Sequence, residues 1–374
     1  MNRLKKVIRN NLINIPGWRT RRRIVVIESD DWGAIRQPSV NVLEAMREKG
    51  MNLGCDQYIR NDALSSAKDL EALFDTLNSV KSSNSRSPSI TANTIMANPD
   101  FELMEKEGLK SYRFEHFTKT LNRYPEHSRS FELWKEGIES GLFRPQFHGR
   151  EHLHVNRWLK GLSIPESETT FLFKNRLYAL CTTSSSEERK SYMAAWEWDG
   201  EKDREFSLRA IEEGLKMFEE TFGYRSLTAI APNYTWNEEM EQIMFQNGVK
   251  GMQGGAVQRA PKTDGSGNEI IRHHTGQKNQ LGQIYMVRNC RFEPSENPDK
   301  DWVTSCLKEI NTAFRWRKPA IIESHRVNFI GYINPKNRDR NLKLFKQLLE
   351  KIVKTWPDVE FMTSDQLCEV LRGE

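Results

Sequence analysis

Asp30 and Asp31 stand side by side at the end of the run Ile24-Val25-Val26-Ile27-Glu28-Ser29-Asp30-Asp31-Trp32-Gly33. Two neighbouring carboxylates repel unless a cation or a proton separates them; a metal bound by one, with the other left free as a base, resolves the conflict. A second group of donors is His148-Gly149-Arg150-Glu151-His152. Two imidazoles four residues apart on a helical turn point the same way and can reach one ion, which then needs a third protein ligand and keeps a position open for water. Two imidazoles with one carboxylate suit zinc, and cobalt or nickel could substitute. Each motif also has a bland reading, since Asp and Gly build turns and paired His decorate helix surfaces.

The elements that must position these groups follow from hydrophobic pattern. Four branched aliphatics in a row suit a buried strand of a parallel sheet, and the carboxyl ends of such strands are where chemistry collects. Phe143–Phe147 is a short strand-like segment leading into His148. Further strand-like stretches cover 89–96, 226–231, 249–252, 284–291, 319–323 and 359–362. Between them, amphipathic periodicity predicts helices over 66–80, 128–140, 206–222, 238–246, 301–315, 338–354 and 364–371. This alternation predicts a parallel α/β fold. A barrel is favoured over an open sheet because the glycine-rich loops GxGxxG and GxxxxGK[ST] are both absent. Residues 163–202, rich in Ser and Thr and ending near Trp196 and Trp198, break the pattern and read as a loop-rich insertion whose tryptophans pack it onto the body.

The strand ending in Asp30-Asp31 followed by His148-x-x-x-His152 resembles the polysaccharide deacetylases of the NodB-homology type (carbohydrate esterase 4-like). The likeness spans about residues 24–330. Ala320-Ile321-Ile322-Glu323-Ser324-His325 resembles their last motif, Ala231-Pro232-Asn233-Tyr234 matches their Arg-Pro-Pro-Tyr in part, and Asp299-Lys300-Asp301-Trp302 approaches their Asp-x-x-Asp-Trp with one residue too few. The resemblance implies an irregular (β/α)7 barrel over 24–372 and a metal-dependent hydrolase that removes acetyl groups from an N-acetylated or O-acetylated sugar or polysaccharide precursor. It implies Asp31, His148 and His152 as metal ligands, Asp30 as general base, His325 as general acid, and the backbone N–H of Tyr234 at the oxyanion. Trp32, Tyr234, Trp236 and Arg150 are the candidate substrate contacts. The family's third motif has an Arg that orients the base; Ala231 stands there, and Arg150 or Arg326 is the candidate replacement. The rivals are another C–N bond hydrolase, such as a deformylase, and a carbohydrate-binding relative without turnover.

Composition bounds the rest. The 374 residues are 37% hydrophobic and 29% charged, and no run of eighteen apolar residues could span a membrane. The five cysteines (55, 181, 290, 306, 368) show no CxxC spacing, so a reducing compartment is expected. The net charge of +5 is unevenly spread: residues 1–23 hold eight Lys or Arg and no acid, leaving 48 basic against 51 acidic residues elsewhere. The body therefore gives no sign of a nucleic-acid groove. Within the basic segment Leu4, Val7, Ile8, Leu12 and Ile15 recur at helical spacing. Such a helix suits peripheral contact with an anionic membrane, or else caps the bottom of a barrel. The segment lacks the apolar core and cleavage site of a secretory signal, so a cytoplasmic location, with contact at the inner membrane face, is the expectation.

Overall fold

The computed structural model describes residues 3–51, 53, 57–180 and 191–373. Cys55, Cys181 and the Thr182–Ser186 part of the predicted insertion lie outside them. Nine strands form the central sheet: β1 (Arg23–Trp32), β2 (Ile90–Thr94), β3 (Phe143–Phe147), β4 (Thr228–Ile230), β5 (Gly251–Gly254), β6 (Ile284–Val287), β7 (Cys290–Arg291), β8 (Ala320–His325) and β9 (Val359–Met362). Their order is β6-β5-β4-β3-β2-β1-β8-β7, all pairs parallel, with β9 beside the first half of β1. Parallel strands need crossover connections, and helices such as Ala67–Asn78, Ser130–Glu139, Glu201–Phe222, Trp302–Arg315 and Pro335–Thr355 supply them. The expected parallel α/β fold is therefore the observed one.

β1 is the axis of the sheet. From Ile24 onward it is entirely buried, because it has strands on both edges and side chains packed on both faces. Val25 and Ile27 join the main core, while Ile24 and Val26 face a second cluster with Met286, Ile321 and Leu367. One short stretch of chain joins β6 to β7. The Arg288 N–H donates to Gly254 O at 2.8 Å on β5, and the next residue's N–H donates to Ile321 O on β8 at 3.2 Å. At that crossing the Asn289 side chain takes over from the backbone, accepting from Ile321 N (2.9 Å) and donating to Pro319 O (2.8 Å) and Asn14 Oδ1 (2.9 Å). The N-terminal segment is anchored at the amino end of β8, where Asn11 Oδ1 accepts from the Trp316 indole at 2.9 Å and Lys318 donates to Pro16 O and Trp18 O, and from there Ile8, Leu12 and Ile13 line a groove that runs to Tyr234 and Glu323.

The remaining sequence expectations met mixed outcomes. Asn237 caps Glu238–Gln246, accepting from Met240 N at 3.2 Å, and Gly223 ends the long helix at φ +74. The last helix, Ser364–Arg372, is capped by Thr363. Residues 97–125, to which hydrophobic pattern assigns no element, contain a β-ribbon (Ala97–Pro99 with Phe114–His116) and two helices, elements too short to show a period. Trp196 and Trp198 are buried as packing residues, with the Trp198 indole donating to Ser207 Oγ at 2.7 Å. Among the described residues, no helix is long and apolar enough to cross a membrane.

Candidate active site

Consecutive side chains on a strand point to opposite faces, so Asp30 and Asp31 should not share a site. The strand ends in a way that lets them. Asp31 has φ +73, a left-handed conformation costly for a residue with a Cβ, and the pairing with β2 slips between Ser29 and Trp32. The bulge turns both carboxylates into one cavity of about 320 Å³ at the carboxyl ends of the strands. Trp32, the next residue, turns inward instead. It is fully buried edge-on to Trp134 and Phe143 and donates to Ser29 Oγ at 2.9 Å, which corrects its reading as a substrate contact.

Asp31 faces the two imidazoles. His148 Nε2 lies 3.5 Å and His152 Nε2 3.8 Å from Asp31 Oδ1, and the three donor atoms fall within 4.8 Å of one another. The histidines do not ride a helical turn as predicted. Residues 148–154 form a loop with Gly149 at φ +122, and the helix begins at Val155. The loop is held from outside: the backbone N–H groups of Met96 and Ala97 donate to Gly149 O (3.1 Å) and Arg150 O (2.6 Å).

The protonation states suit a cation. His148 Nδ1 lies 2.9 Å from Ile230 O, which can only accept, so Nδ1 donates to it and Nε2 faces the cavity. Burial pushes His152 down to about 3, so it is neutral, and its Nδ1 is buried without a hydrogen-bond partner. For Asp31, burial pulls the pKa up, but Arg36, His148 and His152 together hold it well below the usual carboxylate range. The Arg36 guanidinium donates to Asp31 Oδ2 at 3.0 Å, leaving Oδ1 as the oxygen aimed at the imidazoles. A buried anionic oxygen and two imidazole nitrogens on one point form a donor set that fits a divalent metal.

Asp30 is held by a residue the sequence reading missed. Arg288 grips it with both terminal nitrogens, NH1 to Oδ2 at 2.7 Å and NH2 to Oδ1 at 2.6 Å, while its Nε donates to Glu28 at 2.6 Å. Asn93 on β2 adds a bond to Oδ1 at 2.7 Å. Burial raises the Asp30 pKa, and Arg288, followed by His325 and His148, more than offsets it, so the carboxylate is ionised. Arg288 thus fills the place that Ala231 leaves empty. The two residues proposed for that task are elsewhere. Arg150 pairs with Glu151 and Glu213 beneath Phe114 and Phe206, and Arg326 is bidentate to Asp62. Arg150 is therefore neither the orienting group nor a lining residue of the cavity. Arg288 had a signal: like Asp30, it follows an apolar strand, here Ile284–Val287, and extending that strand to 291 hid it.

His325 is the direct cross-strand neighbour of Asp30 in the β1–β8 register, and its Nε2 lies 3.8 Å from Asp30 Oδ2. Its Nδ1 bonds Glu293 Oε1 at 2.6 Å. Burial lowers the pKa of His325, but the ion pair and hydrogen bond with Glu293, reinforced by Asp30 and Asp31, raise it to about 10. Glu293 was also missed; it lies in a loop after β7, where no periodicity marks it. Glu323, two residues before His325 and so on the same side of the strand, lines the cavity with Tyr58, Tyr234, Ser191 and Met193.

The third motif holds a tight turn with Asn233 at φ +54 and Tyr234 at φ +55. The Tyr234 side chain lines the cavity, and its hydroxyl lies 3.3 Å from Arg288 NH1. Its backbone N–H, expected at the oxyanion, instead donates to Ala231 O at 3.1 Å within the turn. Trp236 is buried, donating to Glu241 Oε1 at 2.8 Å and stacking on His273, so it too belongs to the core and not to the substrate wall.

No protein-family model matches this chain, and no curated protein matches it. Among solved structures it is similar to a provisionally assigned polysaccharide deacetylase from Mycobacterium smegmatis (11% identity over 96% of this chain and 93% of that one, TM-score 0.44). It is also similar to a provisionally assigned glycoside hydrolase/deacetylase from Parabacteroides distasonis (10%, 96% and 73%, TM-score 0.49) and to the Puue allantoinase (10%, 95% and 92%, TM-score 0.41). The functional reading therefore rests on the site itself.

Proposed function

We propose that this chain is a metal-dependent hydrolase that removes acetyl groups from an N-acetylated sugar or polysaccharide precursor, built on an irregular (β/α)7 barrel. One observation carries the reading. Two consecutive carboxylates enter one cavity, one facing two imidazoles and the other clamped by a guanidinium opposite a protonated histidine.

Asp31, His148 and His152 would hold the ion, zinc by donor type; when bound it supplies a lowered pKa for water and a polarised acyl carbonyl. Asp30 accepts the proton of the attacking water, and Arg288 with Asn93 keeps its oxygens from rotating out of line. His325, held protonated by Glu293, gives a proton to the departing amine as the C–N bond breaks. Acetate and a free amine leave. The presence of Arg288 removes the main reason to read the chain as a relative without turnover. The choice of a sugar substrate rests on the resemblance at Asp30-Asp31 and His148/His152.

Acetate and formate release from a panel of N-acetylated and N-formylated amino sugars tests the reading. The expected result is acetate release that stops with a chelator and returns with zinc. No release from any N-acyl sugar by metal-loaded protein would overturn it. The basic helix Arg3–Leu12, with Val7, Ile8, Leu12 and Ile15 exposed, is proposed to rest on an anionic membrane at the cytoplasmic face. Removing residues 1–23 should abolish binding to anionic vesicles; unchanged binding would refute that contact.

A further inference from the structure

We propose that the sugar this site acts on is carried on a lipid phosphate, whose hydrocarbon chain lies in a groove beside the catalytic cavity. The sugar's role rests on the hydrolase reading above; the groove is a separate observation.

The groove has a volume of about 770 Å³. One wall is the N-terminal segment, with Ile8, Leu12, Ile13 and Pro16; the other is the stretch Gly255, Ala256 and Val257. At its inner end stand Tyr234, Glu323 and Arg288. Tyr234 and Glu323 also line the catalytic cavity, and Arg288 is the residue that grips Asp30. The two spaces therefore adjoin at Tyr234 and Glu323, so a sugar in one would lie beside a chain in the other.

The chemistry of the groove suits an amphiphile with an anionic group. A helix that packs only to complete a fold buries its apolar stripe. Here Ile8 and Leu12 remain 49% and 58% exposed while lining an open channel. The helix is not loosely placed: Asn11 Oδ1 accepts from the Trp316 indole at 2.9 Å, and Asn14 Oδ1 from Asn289 at 2.9 Å. Lys5 and Arg9 on the helix and Arg272 on the facing ribbon also line the groove, where Glu323 is the one acid among the lining residues. Exposed cations beside an apolar channel complement a phosphate that joins a sugar to a hydrocarbon chain. A free sugar or a soluble polysaccharide would use neither feature.

The test is equilibrium binding of dodecyl phosphate, below its micelle concentration, to the full chain, with inorganic phosphate as comparison. No turnover is involved, so the result is independent of the deacetylase reading. Burial of the alkyl chain predicts that dodecyl phosphate binds about a hundredfold more tightly than inorganic phosphate. Ile8→Asp with Leu12→Asp, and separately Lys5→Glu with Arg9→Glu, should each weaken it about tenfold with an unchanged melting temperature. Equal affinities for the two probes, or dodecyl phosphate binding unaffected by both double variants, would overturn the proposal. So would binding to anionic vesicles that dodecyl phosphate fails to compete. If the probe binds as predicted and no sugar is deacetylated, the groove stands and the reaction falls. If soluble N-acetyl sugars are hydrolysed and the probe does not bind, the reverse holds.

Discussion

Among the described residues, two clusters bring histidine and carboxylate donors within reach of one ion, and their hydrogen bonding differs. Asp31, His148 and His152 form the first; His154, Asp199 and Asp203 form the second. In the first, His148 Nδ1 donates to a carbonyl and Nε2 faces the cavity. In the second, His154 Nδ1 accepts from the Arg157 N–H at 3.4 Å as a helix cap. Burial, then Arg157, pushes His154 down to about 4, so it is neutral with its single proton on Nε2, the atom 3.9 Å from both carboxylates. Asp199 is already bidentate to Arg157, and Asp203 accepts from Asn156 and from the Asp199 N–H. The same donor types therefore make a candidate ligand set in one place and a brace in the other. Tautomer and prior commitments decide, and neither is written in residue spacing.

The sharpest way to break this comparison is to remove one histidine from each cluster. His152→Ala should lose the bound metal and lower kcat by about a thousandfold or more, because water activation and carbonyl polarisation go together. His154→Ala should keep one metal per chain and cost about 1–3 kcal/mol of stability through the lost cap and a small cavity, read from denaturant midpoints. Metal loss in the second variant would mean the clusters have been assigned the wrong way round.

Next in size is the base. Arg288→Lys should keep the metal and lower kcat by about a hundredfold, since an ammonium cannot reproduce the two-pronged grip on Asp30 while also reaching Glu28. Unchanged kcat would remove Arg288 from the account. In the brace, Arg157→Met should leave activity per bound metal intact but cost about 3 kcal/mol, because Asp199 and Glu197 lose their counter-charge. The smallest effect concerns pH. Glu293 holds His325 protonated, and the protonated form is the one that donates. Glu293→Gln should therefore lower its pKa and move the basic limb of the kcat profile about 1–2 units toward lower pH. A basic limb that stays in place would show that His325 is not the acid.

Much of the scaffold was legible because it is periodic. The buried aliphatic run of β1 and the helices 67–78 and 302–315 carry their period over a dozen residues or so, and the strand ends that hold Asp30, Asp31 and His325 followed from them. What sequence reasoning placed wrongly depended on geometry at single residues. Trp32 looked like a site residue by adjacency, but the bulge that brings Asp31 into the cavity turns the following indole into the core. The two histidines meet through a glycine-bearing loop, not a helical turn, though the spacing suits either. Arg288 could have been found by asking what stands at the end of every buried strand; Glu293, in a loop, could not.

The central claim is that Asp31, His148 and His152 converge on one cation. Anomalous diffraction from crystals grown with one equivalent of zinc tests it most directly. The account predicts one strong peak bounded by Asp31 Oδ1 and the Nε2 atoms of His148 and His152, with none at His154. A peak at His154 instead, or no peak beside Asp31, would contradict it.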